Sequence, residues 1–214
     1  MENVIATIEQ EKIIVIVRGV ERENLIPLAE AMYNGGIKLL EVTYSANGAV
    51  SDEDTAENIR ILSEYFKDKM FIGAGTVLTE KQVELTFKAG GKFIISPDSC
   101  KEVIEKTKEL GLVSIPGAIT PTEMQQAHRF GADFIKIFPI TSLGPDYVKA
   151  IKAPLSHLKI LAVGGVDVDN ISTYLKAGVC GFGLGSNIID KKKIQDKDWE
   201  GITTLAKKYI DLVK

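Results

Sequence analysis

Short apolar runs alternate with amphipathic segments along the whole of this 214-residue chain. The runs Ile13–Arg18, Ile37–Thr43, Met70–Ala74, Lys92–Ser96, Leu112–Pro116, Asp133–Phe138, Lys159–Val163 and Gly181–Gly185 have the length and β-branched content of buried strands. Between them, Leu25–Tyr33, Thr55–Phe66, Glu80–Ala89, Lys101–Leu110, Pro121–Phe130, Asp146–Ile151 and Asp169–Ala177 place an apolar residue at every third or fourth position, the spacing of a helix with one buried face. A last helical segment, Trp199–Val213, follows the eighth strand. Strand–helix alternation repeated eight times predicts an α/β fold of the (β/α)8 TIM-barrel type. An N-terminal turn, Glu2–Glu11, is expected to cap the bottom of the barrel. The pairs Gly35-Gly36 and Gly90-Gly91, and Gly111, Gly131 and Gly178, stand where a helix has to stop in a left-handed conformation before the next strand. No linker or low-complexity stretch interrupts the pattern, so one barrel domain is expected over residues 1–214. The run Lys191-Lys192-Lys193 reads as a solvated loop.

In a barrel of this kind, function gathers at the C-terminal ends of the strands. That rule selects Arg18-Gly19, Glu41-Val42-Thr43, Gly73-Ala74-Gly75-Thr76, Ser96-Pro97-Asp98, Pro116-Gly117, Lys136 through Pro139, Gly164-Gly165-Val166 and Gly183 through Ser186. Reactive side chains and glycines therefore share one rim.

Two of these residues are anomalous for their surroundings. Residues two apart in a strand share a face, so Phe134, Lys136 and Phe138 point one way and Ile135 and Ile137 the other. An ammonium group on an apolar face loses hydration, which lowers its pKa from the ordinary value of about 10.4 and makes the amine a usable nucleophile towards a carbonyl. The alternative is a strand-end lysine whose tip reaches water. The same alternation puts Leu39, Glu41 and Thr43 on one face, with the Glu41 carboxylate directed into the barrel. Opposite charges in one low-dielectric interior either pair structurally or divide catalytic labour. The catalytic division is favoured, because a buried ion pair is a poor stabilising device and perturbed groups concentrate in active sites. A glutamate with a raised pKa suits proton transfer near neutral pH.

Composition narrows the function classes. With 45% hydrophobic residues the chain can bury a substantial core, and a net charge of −3 gives no footprint for nucleic acid. Cys100 and Cys180 belong to no metal-spaced cluster and read as reduced thiols of a cytoplasmic protein. The two histidines, His128 and His157, lie in a polar helix segment and a loop, and read as surface residues, not catalysts. Neither a metal nor an organic cofactor is expected, and the apolar runs are too short for a membrane span. The start, Met1 through Ile5, resembles neither a signal nor a transit peptide.

Gly164-Gly165 after the seventh strand and Gly185-Ser186 after the eighth occupy the place where barrels often hold phosphate on backbone N–H groups. Either pair alone is commonplace in tight turns. Their joint occurrence points to a phosphorylated small molecule as ligand.

The segments Leu40–Thr43, Ile72–Leu78, Ile95-Ser96-Pro97, Ile115-Pro116-Gly117, Ile135–Pro139, Ala162–Val166 and Gly183–Ser186 together resemble the class I aldolases that cleave 2-keto-3-deoxy-6-phospho sugar acids, the phosphogluconate, phosphogalactonate and 4-hydroxy-2-oxoglutarate enzymes. The resemblance runs over nearly the whole chain. It implies a Schiff-base lysine at Lys136, a proton-transferring glutamate at Glu41, a pyruvate contact at Thr76, and phosphate binding around Gly164, Gly165, Gly185 and Ser186. It also implies a homotrimer. One departure stands out. Many phosphogluconate enzymes of this family hold the pyruvate carboxylate with an arginine two residues after the threonine of the Glu-Val-Thr stem, and here Ser45 takes that place. The chain keeps Arg18 in Val17-Arg18-Gly19, as in the phosphogalactonate branch, which it also resembles from Lys136 to Tyr147. Arg18 is thus the candidate anion anchor. Two rivals share the phosphate-binding turns: a barrel isomerase or epimerase, which needs no buried lysine on strand six, and a non-catalytic barrel that senses sugar phosphates. Retention of both Glu41 and Lys136 argues against the second.

Overall fold

The computed structural model describes all residues from 1 to 214. Its elements run α1 (Glu2–Glu11), β1 (Ile13–Val17), α2 (Arg22–Asn34), β2 (Leu39–Thr43), α3 (Asp52–Tyr65), β3 (Phe71–Gly75), α4 (Glu80–Lys88), β4 (Phe93–Ile95), α5 (Lys101–Glu109), β5 (Val113–Ile115), α6 (Pro121–Arg129), β6 (Ile135–Ile137), a 3-10 turn (Ile140–Ser142), α7 (Gly144–Lys152), β7 (Ile160–Val163), α8 (Ile171–Lys176), β8 (Gly181–Leu184), α9 (Lys191–Gln195) and α10 (Trp199–Val213). All strand pairs are parallel, in the order β5-β4-β3-β2-β1-β8-β7-β6. The seam between β5 and β6 is closed between β6 and the residues just beyond the end of β5. There Lys136 N donates to Pro116 O at 2.8 Å and Ala118 N donates to Lys136 O at 2.9 Å. The sheet is thereby a (β/α)8 barrel, as the alternation predicts.

Period-two alternation sorts the buried side chains into two groups. Leu40, Val42, Ile135 and Ile137 face the helices and join the large cluster between barrel and helix ring. Leu39, Phe93, Phe134 and Leu161 fill the lower barrel, where Val4 and Ile8 of α1 plug the floor. The N-terminal segment is therefore a ten-residue helix, not the turn expected from sequence. Val4 and Ile8 are one helical turn apart and find their apolar partners only inside the barrel mouth. α1 stops at Lys12, which is left-handed with φ 60°, and the next residue begins β1. The run at Lys191 also departs from expectation. It forms the short helix α9, because the Asp190 carboxylate caps the amides of Lys192 and Lys193. One glycine at each helix stop is left-handed as expected, among them Gly36 at φ 100° and Gly178 at φ 99°, while Gly35 stays right-handed at φ −79°. No helix is long and apolar enough to cross a membrane.

The ladders are shorter than the apolar runs, and this places the site. Arg18, Ser96, Pro116, Phe138 and Gly185 fall just past their strands, on the rim. Phe138 accordingly departs from the buried face expected for it: it is 48% exposed, because β6 ends at Ile137 and the chain turns before the Phe134–Lys136 alternation can continue.

Candidate active site

Lys136 occupies the middle of β6 and Glu41 the middle of β2, and both point into the upper barrel. Glu41 is 2% exposed and Lys136 9%. The lysine is therefore not a strand-end residue with its tip in water. Its ammonium nitrogen lies 5.1 Å from the centre of the Phe138 ring, which folds back over the chamber from the rim.

Neither charge is neutralised by a direct ion pair. Glu41 Oε1 accepts a hydrogen bond from Thr43 Oγ1 at 3.0 Å, while Oε2 is buried without any partner. A buried carboxylate oxygen left unmatched is costly, which marks a place where a substrate or a water molecule has to bind. Burial holds the Glu41 carboxyl above its ordinary range; the Lys136 charge, the Thr43 hydrogen bond and Arg18 oppose that shift. Burial likewise pushes Lys136 below the usual lysine range; Glu41 opposes this and Arg18 adds to it. The medium thus favours a free amine beside a carboxylic acid, and each group's charge restrains the other's shift.

Room for the Glu41 carboxylate comes from Gly75 at the end of β3. A methyl group there would overlap the carboxylate, with Cγ at 2.7 Å the most distant of the three Glu41 atoms it would strike. The next residue, Thr76, has φ 53°, a conformation rare for a β-branched side chain. Its hydroxyl accepts a hydrogen bond from Arg18 Nη2 at 3.0 Å, which ties the end of β1 to the end of β3. Arg18 is exposed at its tip and acts electrostatically on both Glu41 and Lys136.

Across the mouth, the turns after β7 and β8 leave donors free. Gly164 and Gly165 are both left-handed, at φ 92° and 79°, and close packing excludes a side chain at either: a methyl on Gly164 would meet the Phe138 ring at 2.8 Å, and one on Gly165 would meet Thr141 Oγ1 at 2.7 Å. The amides of Gly164, Gly165 and Ser186 donate to no protein oxygen. Gly185 O accepts from the amides of Ile188 and Ile189, so a single helical turn starts there with Ser186 in it. Asn187 Nδ2 donates to Val166 O at 2.8 Å and fixes one turn against the other. Unspent amides and a hydroxyl around a helical turn form a receptor for an anion.

All eight residues expected from sequence lie at the C-terminal end of the barrel strands: Lys136, Glu41, Arg18 and Thr76 in one group, Gly164, Gly165, Gly185 and Ser186 in the other. Ser45 shares no hydrogen bond with the first group. It sits on the loop after β2, where its hydroxyl donates to Asn47 Oδ1 at 2.7 Å and accepts from Ala49 N at 3.1 Å. Sequence reasoning placed Thr43 and Gly75 on the rim without giving either a role, and did not reach Asn187. Thr43 shares the alternation of Glu41 and was within reach; Gly75 and Asn187 act through contacts between strands that no local spacing reveals. The two histidines are exposed, as expected, and their rings lie 5.0 Å apart between α6 and the loop before β7.

The family model of the KDPG and KHG aldolases matches residues 4–205. The chain belongs to the KDPG and KHG aldolase family. It is 31% identical over 203 residues to 2-dehydro-3-deoxy-6-phosphogalactonate aldolase of Escherichia coli strain K12, covering 94% of this chain and 96% of that protein. It is 30% identical over 217 residues to 2-dehydro-3-deoxy-phosphogluconate aldolase of Haemophilus influenzae, covering 100% and 98%. Among solved structures, it superposes with a TM-score of 0.85 on KDPG aldolase from Legionella pneumophila with pyruvate captured at low pH as a covalent carbinolamine intermediate, at 30% identity over 95% of this chain and 96% of that one. The native KDPGal structure gives 0.83 at 31% identity, over 94% and 95%.

Proposed function

We propose that this aldolase cleaves a 2-keto-3-deoxy-6-phospho sugar acid of the gluconate or galactonate type, with Lys136 as the imine-forming residue. The observation that carries this reading is the pair in the upper barrel: a buried amine held below its ordinary pKa, beside a buried carboxyl with one oxygen unmatched. As a free amine, Lys136 attacks the C2 ketone of the substrate. Glu41, held as the acid, gives its proton to the departing hydroxyl of the carbinolamine; water leaves, Glu41 becomes a carboxylate, and the cationic iminium withdraws electrons from the C3–C4 bond. Thr43 occupies Oε1 of Glu41, so Oε2 is the oxygen that takes the proton from the C4 hydroxyl. The C3–C4 bond breaks, the aldehyde leaves with the phosphate, and the electron pair stays on the imine as an enamine. Glu41 returns the proton to C3, and hydrolysis releases pyruvate and the free lysine. This sequence requires neither a metal nor a cofactor.

Arg18 and Thr76 hold the carboxylate end. The arginine stands in for the one that Ser45 replaces, and its bond to Thr76 Oγ1 presents both side chains together. The amides of Gly164 and Gly165, with Gly185 and Ser186, take the phosphate end. Holding both ends places the scissile bond over the imine, and such positioning accounts for a large part of many enzymatic rate enhancements. An unphosphorylated 4-hydroxy-2-oxoglutarate would use only the carboxylate end. A cytoplasmic homotrimer completes the reading, and exposed Leu78, Ile119 and Phe138 at the catalytic rim are apolar surface that a contact between protomers would cover. Light scattering showing any mass other than three chains would remove the trimer.

Incubation with pyruvate and borohydride tests the chemistry. The pyruvate-derived mass should appear at Lys136 and disappear in Lys136→Ala together with turnover. An adduct at Lys92 or Lys159, or turnover without trapping, would show the reading to be wrong. Comparing pyruvate release from the gluconate-derived, galactonate-derived and hydroxyoxoglutarate substrates ranks the three.

A further inference from the structure

At the opposite end of the barrel, a cleft of about 810 Å³ opens between α1, α3 and α4 and the N-terminal ends of β2, β3 and β4. Its volume is in the range of small-molecule sites. The walls carry Lys38, Arg60, Lys67, Lys69, Lys88 and Lys92, against three carboxylates, from Glu11, Glu64 and Asp68. The local excess is three positive charges in a chain whose net charge is −3.

Several lysines elsewhere on the surface close ion pairs, as in Lys81–Glu53, Lys106–Glu109, Lys149–Asp146 and Lys159–Glu9. None of the five lysines in the cleft does. Arg60 takes Glu64 for itself, at 2.6 Å, together with Glu57. The ammonium of Lys38 rests over the Tyr33 ring, 3.9 Å from its centre, held there with no carboxylate partner. A second observation is independent of charge. Only two buried side-chain polar atoms in the protein lack a hydrogen-bond partner: Glu41 Oε2 in the catalytic chamber, and Ser63 Oγ in the wall of this cleft.

We propose that this cleft is a second anion site, for a small molecule carrying at least two phosphate groups. A single phosphate would leave most of the lysine charge unmatched, and an apolar ligand would have to strip water from it. The site also lies at the roots of the catalytic strands. Lys38 immediately precedes β2, which carries Glu41, and Lys69 lies two residues before β3, which ends at Gly75 and leads into Thr76. An occupant would thus touch the two strands that position the proton-transferring carboxylate.

Inorganic pyrophosphate is the probe. Calorimetric titration of the wild type should show binding that weakens as salt is raised, because exposed charges are screened. In Lys69→Gln/Lys88→Gln/Lys92→Gln the affinity should fall about tenfold, the scale for losing three exposed ion pairs. Aldolase kinetics without pyrophosphate should be unchanged in that variant, and Ser186→Ala should keep the cleft's affinity. Methyl-labelled methionine supplies a readout that needs no lysine substitution: pyrophosphate should shift the Met70 resonance, which reports from the cleft lining. Equal affinity in the triple variant, loss of all binding in Ser186→Ala, or a silent Met70 under saturating pyrophosphate would each overturn the site.

Discussion

Gly75→Ala isolates the contribution of carboxylate position with a single methyl group. The residue belongs to β3 with an ordinary extended backbone, since its φ lies outside the left-handed region, so alanine brings no dihedral strain. What it brings is overlap with the Glu41 carboxylate, whose Cγ alone would be 2.7 Å from the new carbon. Nonbonded carbons settle at about 3.5–4.0 Å, so the carboxylate has to swing by roughly 1–2 Å. A displacement of about 1 Å in a catalytic group costs on the order of 10²-fold, and complete loss of general acid–base catalysis costs about 10²–10⁴-fold. The expected fall in kcat is therefore about 10²–10⁴-fold, or roughly 2.7–5.4 kcal/mol of transition-state stabilisation. Single-turnover kinetics should place the loss in C3–C4 cleavage, with pyruvate trapping at Lys136 retained. A double-mutant cycle sharpens the test. If Gly75 acts only through Glu41, Gly75→Ala in a Glu41→Gln background should cost almost nothing further. Wild-type kcat in a folded Gly75→Ala protein, or additive effects in the cycle, would refute the steric link.

Arg18→Ala should weaken kcat/KM by about 1.5–3 kcal/mol, the scale of a charged hydrogen bond, and Arg18→Lys should recover only part of it for want of a planar fork; unaltered steady-state kinetics in Arg18→Ala would move the anchor elsewhere. The pH profile of borohydride trapping should rise through a midpoint below the ordinary lysine value of 10.5, moving to lower pH in Glu41→Gln, which removes the charge holding Lys136 up, and to higher pH in Arg18→Ala; shifts of the opposite sign would contradict the coupling. Tyr44→Phe removes a buried hydroxyl on the helix side of the barrel that meets Thr86 Oγ1 at 3.0 Å and Gln82 O at 3.2 Å, and calorimetry should show about 1–3 kcal/mol of lost stability with kcat preserved. The double variant Lys136→Met/Glu41→Leu should be inactive yet as stable as the wild type or more so, by up to about 4 kcal/mol in chemical denaturation; a large destabilisation would mean that the pair holds the barrel together.

Much of this architecture is legible in the chain because barrel burial imposes local rules. A strand buried on both faces reads as a short apolar run, and a charge inside such a run is conspicuous; Lys136 and Glu41 stand out for that reason alone. Features that depend on where ladders end are harder to see. Phe138 continues the alternation of Phe134 and Lys136 on paper, but the ladder stops at Ile137 and leaves the ring half exposed. The helix α1 is encoded by Val4 and Ile8, two residues whose meaning appears only with the barrel floor they plug. Gly75 reads as one more glycine in a βα turn until the Glu41 carboxylate is seen lying where its side chain would be. The lysines of the lower cleft come from three separate stretches of sequence, at Lys38, Lys67–Lys69 and Lys88–Lys92, so no contiguous basic motif announces them.

The catalytic pair illustrates how function and stability oppose one another within a single fold. A lysine held below its ordinary pKa binds its proton more weakly when folded than when unfolded. It therefore costs stability at every pH below its folded pKa, and that cost fades only as the pH rises towards 10.5. For the glutamate the sign is reversed. Its folded pKa is raised, so the cost is present above that value and vanishes as the pH falls towards 4.5. Direct contact between the two charges would relieve both costs, but it would also restore the lysine proton and leave the glutamate oxygen occupied. Thr43 and Gly75 work against that relief: the hydroxyl engages Oε1, and the missing side chain gives the carboxylate a seat of its own. The unmatched Oε2 and the depressed amine are thus two expressions of one arrangement, in which the barrel keeps apart charges that would be more stable together, so that a ketone can enter between them.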